Sequence, residues 1–287
     1  MKKAANRIRE RLLGGEEALR YFLFEPSAGS ANAPVLVTVH GISRNAATHA
    51  RRFSHLAERY GVVMAAPLFD EQRYPGYQRL GLRGQRADLA LNRLLDEVTQ
   101  LTGADTERVF LFGYSGGGQF VHRYAMAYPH RVAAIAIGAA GWYTFPDPTR
   151  RFPYGIGPHP KLPGMTFQAA AFLSIPAYVL VGKEDTTRDK ALRQSSNLDQ
   201  QQGHTRFERG QRWVSAMEQA ARRHGLDTEF RFIALPETDH SFSRSVKAGG
   251  MAERVFQRFF SHPTLPVRNR PCPLPSPQVL SHEALMP

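Results

Sequence analysis

One decapeptide combines the residue types that covalent catalysis needs. Residues 109–118 read Val-Phe-Leu-Phe-Gly-Tyr-Ser-Gly-Gly-Gly, an apolar run that ends in Gly-x-Ser-x-Gly. In this pattern a serine stands on a tight turn between a strand and a helix, with its hydroxyl exposed. Gly113 and Gly117 lack the Cβ atoms that would collide where strand and helix pass closely. The pattern predicts that Ser115 is a nucleophile and that the Gly116 N–H faces a developing oxyanion. A purely structural glycine turn is the alternative.

A serine hydroxyl needs a base, which is usually a histidine held by a carboxylate. The chain has 11 histidines. His240 is the candidate because it follows the last predicted strand and directly precedes the final predicted helix. Its neighbour Asp239 is expected to shape the turn rather than to orient the imidazole. The alternative for His240 is a surface residue near the start of that helix.

The candidate carboxylate is Asp185, which follows the continuous apolar run 175–181. Glu184 and Asp189 are the competitors. Because side chains alternate along an extended segment, Glu184 is expected to point opposite to Asp185. We therefore predict that Asp185 holds the histidine.

A second oxyanion donor is expected in the segment His40-Gly41-Ile42-Ser43, after another apolar strand. Gly41 permits a tight turn that would direct the Ile42 N–H at the site. His40 is expected to hold this loop by hydrogen bonds rather than to act as a base. Ser43 and Arg44 either line the entrance or are ordinary polar loop residues.

The elements that must position these residues alternate between strand and helix patterns. Strands are predicted at residues 18–25, 33–40, 62–67, 108–112, 131–138, 175–181 and 228–235. Helices are predicted at residues 46–60, 85–102, 119–128, 206–224 and 241–260. This order predicts an α/β fold with a mostly parallel central sheet flanked by helices on both faces. Because sites in such sheets gather at the carboxyl ends of the strands, the four loops that carry the candidates should converge.

The chain is predicted to form a single α/β domain over residues 1–261. Residues 142–172, rich in proline and aromatic side chains, interrupt the alternation and predict an inserted loop or small cap. Residues 262–287 form a Pro-rich tail that is predicted to be extended or disordered.

The insertion suggests how substrate could be selected. Trp142 and Tyr143 are predicted to bind substrate by walling the pocket above Ser115, with Arg150 and Arg151 near its rim. In the alternative interpretation, the rings only pack the insertion onto the domain surface.

Composition excludes several classes of protein. No run approaches the ~20 apolar residues of a membrane span, and no apolar segment of a secretory signal follows the basic N-terminus. The single cysteine, Cys272, excludes an intramolecular disulfide and agrees with a reducing, cytoplasmic location. No His-Glu-x-x-His and no paired cysteines occur, so neither a metal nor an organic cofactor is expected.

The net charge of +12 comes from scattered arginines without a nucleic-acid-binding motif. No nucleic-acid partner is therefore predicted. The charge indicates a solvated basic surface, with steering of an anionic substrate or attraction to a membrane surface as alternatives.

The chain order Ser115, Asp185, His240 is that of α/β-hydrolases. From about residue 33 to residue 260 the sequence resembles that superfamily, on the motifs His-Gly-Ile, Gly-Tyr-Ser-Gly-Gly, Gly-Lys-Glu-Asp and Asp-His-Ser. It is most similar to esterase-like members of the polyhydroxybutyrate-depolymerase and dienelactone-hydrolase type. The cysteines and extra domains of secreted depolymerases are absent from this sequence, so activity on a solid polymer is not expected.

The resemblance implies a serine hydrolase that cleaves a small-molecule carboxylic ester through an acyl-enzyme. A thioesterase or a peptidase would use the same triad, and a hydrolase of short hydroxyalkanoate oligomers is a further alternative. A non-catalytic binding protein of the same fold is the alternative from another class.

Overall fold

The computed structural model describes residue 4, residues 7–16 and residues 18–261. Within these residues a single sheet of eight strands has the order β1-β2-β4-β3-β5-β6-β7-β8. The strands are β1 (Arg9–Leu13), β2 (Leu19–Phe24), β3 (Pro34–Val39), β4 (Val63–Leu68), β5 (Asp105–Tyr114), β6 (Val132–Gly138), β7 (Ala177–Gly182) and β8 (Phe230–Leu235). β1 pairs antiparallel with β2, and β2 pairs antiparallel with β4. From β4 onward in the sheet order, all neighbouring strands run parallel. The predicted Pro-rich tail at 262–287 lies outside the described residues.

Helices flank this sheet, as the alternation predicts. They are α1 (Ala46–Tyr60), α2 (Ala87–Thr102), α3 (Gly116–Ala127), α4 (Ala169–Phe172), α5 (Ser196–Gln202), α6 (Arg206–Arg223), α7 (Phe242–Lys247) and α8 (Met251–Phe260). Short 3-10 helices lie at Tyr77–Arg79 and Pro129–Arg131. The predicted mixed α/β architecture with a mostly parallel sheet is confirmed.

The core lies on both sides of the central strands. Every residue of β7 is buried, and β3 is buried except at its first residue. Such continuous apolar strands are typical of a parallel sheet that is covered on both faces. Among the described residues, no helix is both long enough and apolar enough to cross a membrane.

Four elements differ from the prediction, and two of them are the short helices α4 and α5, where no helix is predicted. β1 is missed because it is an edge strand whose residues are mostly polar, and its Leu12 side chain is exposed. The predicted helix 241–260 is two helices, α7 and α8, separated at Gly249 and Gly250. Gly250 has φ +60, in the left-handed region, so a continuous right-handed helix is not formed across this pair.

Candidate active site

The turn at Ser115 has the strained geometry that its sequence predicts. Ser115 has φ +52, although it is not a glycine, and its N–H donates to the Gly138 carbonyl oxygen at 2.7 Å. A Cβ on Gly113 would lie 2.2 Å from the Gly117 carbonyl oxygen, and one on Gly117 would lie 2.0 Å from that of Val39. Both positions therefore require glycine, because strand and helix backbones touch there. The Ser115 hydroxyl is consequently held at the carboxyl edge of the sheet.

The structure brings the three predicted residues into a single hydrogen-bonded chain. His240 lies between β8 and α7, and its Nε2 is 3.1 Å from the Ser115 Oγ. Its Nδ1 is 2.8 Å from Asp185 Oδ2, in the loop after β7. The imidazole also stacks on the Tyr114 ring, with the centroids 5.5 Å apart. This arrangement fixes the imidazole between a hydroxyl and a buried carboxylate.

The three candidate carboxylates have different partners. Asp185 is buried, and its Oδ1 accepts a hydrogen bond from Arg206 Nη1 at 3.3 Å. Arg206 also binds both oxygens of Asp189, at 2.8 and 3.0 Å, which holds the pKa of the Asp189 carboxyl below its usual range. Glu184 points away and lies 3.8 Å from the exposed Arg244. Only Asp185 contacts the histidine, as side-chain alternation predicts.

Arg206 is a residue that sequence reasoning missed. It begins α6, which is 21 residues from Asp185 in the chain, and its side chain is buried. An arginine at a helix start carries no local sign of this contact. Its position shows that the candidate acid is held between a cation and an imidazole.

Hydrogen bonds hold the loop after β3 in place. His40 Nε2 accepts the Phe69 N–H at 3.0 Å, so the ring proton is on Nδ1, which donates to the Gly41 carbonyl oxygen at 2.7 Å. Burial lowers the pKa of His40 to about 4, which keeps this ring neutral. The Tyr77 hydroxyl donates to the His40 carbonyl oxygen at 2.8 Å. His40 thus supports the loop, and Tyr77 is a second support that the sequence did not indicate.

The two predicted oxyanion donors lie beside the serine. A Cβ on Gly41 would lie 3.4 Å from the Ser115 Cβ, and one on Gly116 would lie 3.3 Å from the Ile42 Cγ2. Within the described part of the chain, neither the Ile42 N–H nor the Gly116 N–H has a hydrogen-bond acceptor. Both groups are therefore available to a ligand oxygen next to Ser115.

A cavity of about 300 Å³ opens at Ser115. It is lined by Gly41, Ile42, Ser43, Asn45, Tyr114, Ser115, Ala191, His240, Ser241, Phe242 and Ser243. The Asn45 Oδ1 is buried there without a hydrogen-bond partner. Asn45 and Ala191 are lining residues that sequence reasoning missed, because nothing local marks them.

The structure does not place the predicted aromatic pair around this cavity. Tyr143 is fully buried and stacks on Trp213 of α6, with the ring centroids 5.2 Å apart. Trp142 is 5% exposed and packs against Tyr154 and the Arg123 guanidinium. Neither ring is among the residues that line this cavity, because α6 offers this Pro-rich segment a buried packing surface. That the pair binds substrate stays a prediction.

Arg150 and Arg151 are exposed, and Arg150 lies 3.6 Å from Asp147 within its own loop. The insertion has little regular structure, with one isolated bridge between Arg151 and Gly157 and the short α4. The cavity at Ser115 is not lined by either arginine.

Among the described residues, no group of three or more His, Cys, Asp or Glu side chains is arranged to hold a metal ion.

The fold and the site define the class of this protein: it has the α/β-hydrolase fold. Residues 19–144 match the sequence model of the family described as esterase PHB depolymerase. The resemblance to polyhydroxybutyrate-depolymerase-type esterases is thereby confirmed.

Individual relatives agree with this class. A bifunctional acetylxylan esterase/xylanase of Neocallimastix patriciarum is 25% identical over 116 residues, which are 40% of this chain and 17% of that protein. Poly(aspartic acid) hydrolase-1 from Sphingomonas sp. KT-1 is structurally similar, with a TM-score of 0.74, 22% identity and coverage of 89% of this chain and 98% of that one. For a poly(3-hydroxybutyrate) depolymerase from Bordetella parapertussis the TM-score is 0.73, with 24% identity and coverage of 90% and 93%. The two solved structures therefore share the fold of this chain, and the curated relative matches it over a small part of its own length.

Proposed function

We propose that this protein is a serine hydrolase that cleaves carboxylic esters through an acyl-enzyme. The observation that carries this proposal is the chain of contacts from Ser115 Oγ through His240 to Asp185, at 3.1 and 2.8 Å. Its order and geometry are those of a nucleophile, a base and the group that orients the base.

In the first half-reaction, the Ser115 oxygen attacks the ester carbonyl while its proton passes to His240 Nε2. Asp185 Oδ2 accepts the Nδ1–H, which selects the tautomer with a free Nε2 and stabilises the imidazolium that forms. The imidazolium then protonates the leaving alcohol as the C–O bond breaks. In the second half-reaction, His240 takes a proton from water as the water oxygen attacks the acyl carbonyl. The imidazolium then returns that proton to the Ser115 oxygen as the bond to the acyl group breaks and the acid is released.

The N–H groups of Ile42 and Gly116 are the proposed donors to the carbonyl oxygen as it becomes negative. They are held in place before substrate binds, because Tyr77 and His40 fix one loop and α3 fixes the other. A donor that needs no reorganisation stabilises the transition state more than the ground state.

The proposed substrate is a small-molecule ester. A short hydroxyalkanoate oligomer is a second candidate, favoured by the match of residues 19–144 to the depolymerase family. A thioester or an amide would engage the same groups.

The proposal is tested by labelling with a fluorophosphonate probe and by hydrolysis of p-nitrophenyl esters with acyl chains from C2 to C12, beside acyl-CoA thioesters. Ser115→Ala should abolish labelling and lower kcat by roughly 10⁶-fold. Ser243→Ala is the matched control, because Ser243 lines the same cavity. Labelling that survives in Ser115→Ala, or ester hydrolysis within tenfold of the unmodified protein, would overturn the proposal.

A further inference from the structure

Three arginines lie together beside the proposed site. The guanidinium carbons of Arg123 and Arg193 lie 4.2 and 5.4 Å from the ring centroid of Trp142. Arg79 directly follows Gln78, whose carbonyl oxygen accepts a hydrogen bond from Arg123 at 2.6 Å. Among the residues that the structure describes, no carboxylate is within ion-pair distance of any of the three. We call Arg79, Arg123 and Arg193 the arginine cluster.

Arg123 is fully buried, and its contacts are all with neutral groups. Its Nε donates to Thr144 Oγ1 at 2.9 Å, and its Nη1 donates to the Gln78 carbonyl oxygen and, at 3.3 Å, to Gln119 Oε1. Its Nη2 is buried with no hydrogen-bond partner. Two N–H donors of a buried cation are therefore unused.

The other fully buried arginines are paired with acids. Arg206 binds Asp189 at 2.8 Å, and Arg209 binds Asp199 at 2.7 Å. Such pairing offsets the cost of removing a charge from water. Arg123 differs from both in having no counter-charge among the described residues.

Burial, and then the charges of Arg79 and Arg193, lower the pKa of the Arg123 guanidinium well below its usual range. A guanidinium nevertheless keeps its proton in proteins. The cluster is thus an uncompensated positive region, and a bound anion would relieve the repulsion within it.

The cluster is also close to the nucleophile. Ser115 directly precedes α3, and its carbonyl oxygen accepts the Gln119 N–H at 3.1 Å. Gln119 and Arg123 are four residues apart on α3, so they share one face of the helix. Arg123 is about 12 Å from Ser115 along the axis by helix rise, and its side chain leans back toward the N-terminus to reach Gln119. On the other side, a Cβ on Gly116 would lie 3.3 Å from the Gln78 Cγ. Two half-buried glutamines, Gln78 and Gln119, thus lie between the turn at Ser115 and the arginine cluster.

We infer that the arginine cluster is an anion subsite, which binds a carboxylate carried by the ester substrate. Arg193 is exposed and Arg79 is half-buried, so these two can contact the carboxylate, while Arg123 supplies fixed charge beneath them. Arg193 is held by Tyr154, whose hydroxyl accepts its Nη2–H at 2.7 Å, and by the Trp142 ring. Trp142 would therefore act in substrate binding through the arginines. This inference rests on the proposed function.

The test compares each charged ester with a neutral copy. For a carboxylate on the acyl side, the substrates are the p-nitrophenyl monoesters of glutaric, adipic and suberic acid, each beside its counterpart methylated at the far carboxyl. For a carboxylate on the alcohol side, they are the 3-hydroxybutyrate trimer and its methyl ester. The measured quantity is the ratio of kcat/KM for the charged ester to that for the neutral ester.

In the unmodified protein this ratio should reach about tenfold or more for at least one pair, as expected for hydrogen bonds to a charged group. The double variant Arg79→Gln/Arg193→Gln should bring the ratio close to one, chiefly through a higher KM for the charged ester. Arg222→Gln/Arg223→Gln is the matched control, because it removes the same charge from the exposed end of α6. The control should keep the ratio.

A ratio near one in the unmodified protein for every pair would overturn the inference. An equal fall in both double variants would also overturn it, because it would indicate long-range steering by net charge. If no ester of any kind is hydrolysed, the proposed function fails instead. Calorimetric titration with adipate then tests the subsite alone: binding lost in Arg79→Gln/Arg193→Gln supports it, and no binding by the unmodified protein overturns it.

Discussion

Replacing Asp185 by asparagine should reverse the direction of the hydrogen bond to His240. Asp185 Oδ2 faces the His240 Nδ1 at 2.8 Å, while its Oδ1 faces the Arg206 Nη1 at 3.3 Å. Arginine has only donors, so the amide oxygen of an asparagine must turn toward Arg206. The amide NH₂ then donates to the Nδ1 of His240. The imidazole carries its proton on Nε2 and cannot accept the proton of Ser115.

The structure also sets the magnitude of this effect. An enforced wrong tautomer lowers kcat by about 10⁴-fold, which corresponds to ~5 kcal/mol. The fold should survive, because Arg206 retains both hydrogen bonds to Asp189. Exchanging a charged acceptor for a neutral one should cost about 1 kcal/mol of unfolding free energy, or a fall of ~2–4 °C in Tm.

The assay is kcat on a p-nitrophenyl ester, with Glu184→Gln as the control that should be nearly silent. The double variant Asp185→Asn/Arg206→Met tests the role of the cation, because the amide is then free to turn its oxygen toward His240. It should recover at least about tenfold in kcat, ~1.4 kcal/mol, over Asp185→Asn alone. A folded Asp185→Asn protein within tenfold of the unmodified rate would refute the tautomer argument. No recovery in the double variant would refute the role assigned to Arg206.

Two further predictions concern the loop after β3 and the buried histidines. Tyr77→Phe should leave the His40 carbonyl oxygen unsatisfied and lower the unfolding free energy by ~1–3 kcal/mol, and kcat should fall because the Ile42 N–H loses its support. The control Tyr124→Phe loses a 2.6 Å hydrogen bond away from the site and should lower stability only. Equal kcat values in the two variants would contradict the role of Tyr77 in supporting the loop after β3. Burial lowers the pKa of His40 to about 4 and that of His122 well below its usual range. Below pH ~6.5 the unfolded chain therefore binds more protons than the folded chain. As the pH is lowered from that value, the unfolding free energy should fall by up to ~1.4 kcal/mol per histidine and pH unit. Urea unfolding at pH 7.5, 6 and 5 measures this slope, and an unfolding free energy at pH 5 equal to or above that at pH 7.5 would contradict it.

Local sequence was enough for much of the fold and for the geometry at Ser115. The helix predicted at 46–60 is α1 (Ala46–Tyr60), because its apolar spacing and the following glycine are short-range signals. The three residues Ser115, Asp185 and His240 could be chosen because parallel strands bring their carboxyl ends to one edge. Alternation along an extended segment then separated Asp185 from its neighbour.

Contacts between distant segments could not be predicted in this way. Tyr143 is buried because Trp213, 70 residues further along the chain, provides its packing surface. Arg206 looks like any arginine at a helix start, yet it is buried against Asp185. No periodicity or spacing encodes either contact.

The sequence by itself determined most of the backbone elements, the strained turn at Ser115 and the order of the reactive residues, because sterics and hydrophobic period act over a few residues. Only the tertiary structure decided which charges are paired and which are left uncompensated. Nothing in the sequence distinguishes which of the 37 lysines and arginines form ion pairs. Arg123 differs from Arg209 only because folding buries one without an acid beside it and the other against Asp199. The free energy of a charge depends on its solvent exposure and on its neighbours in space, and those are properties of the folded chain.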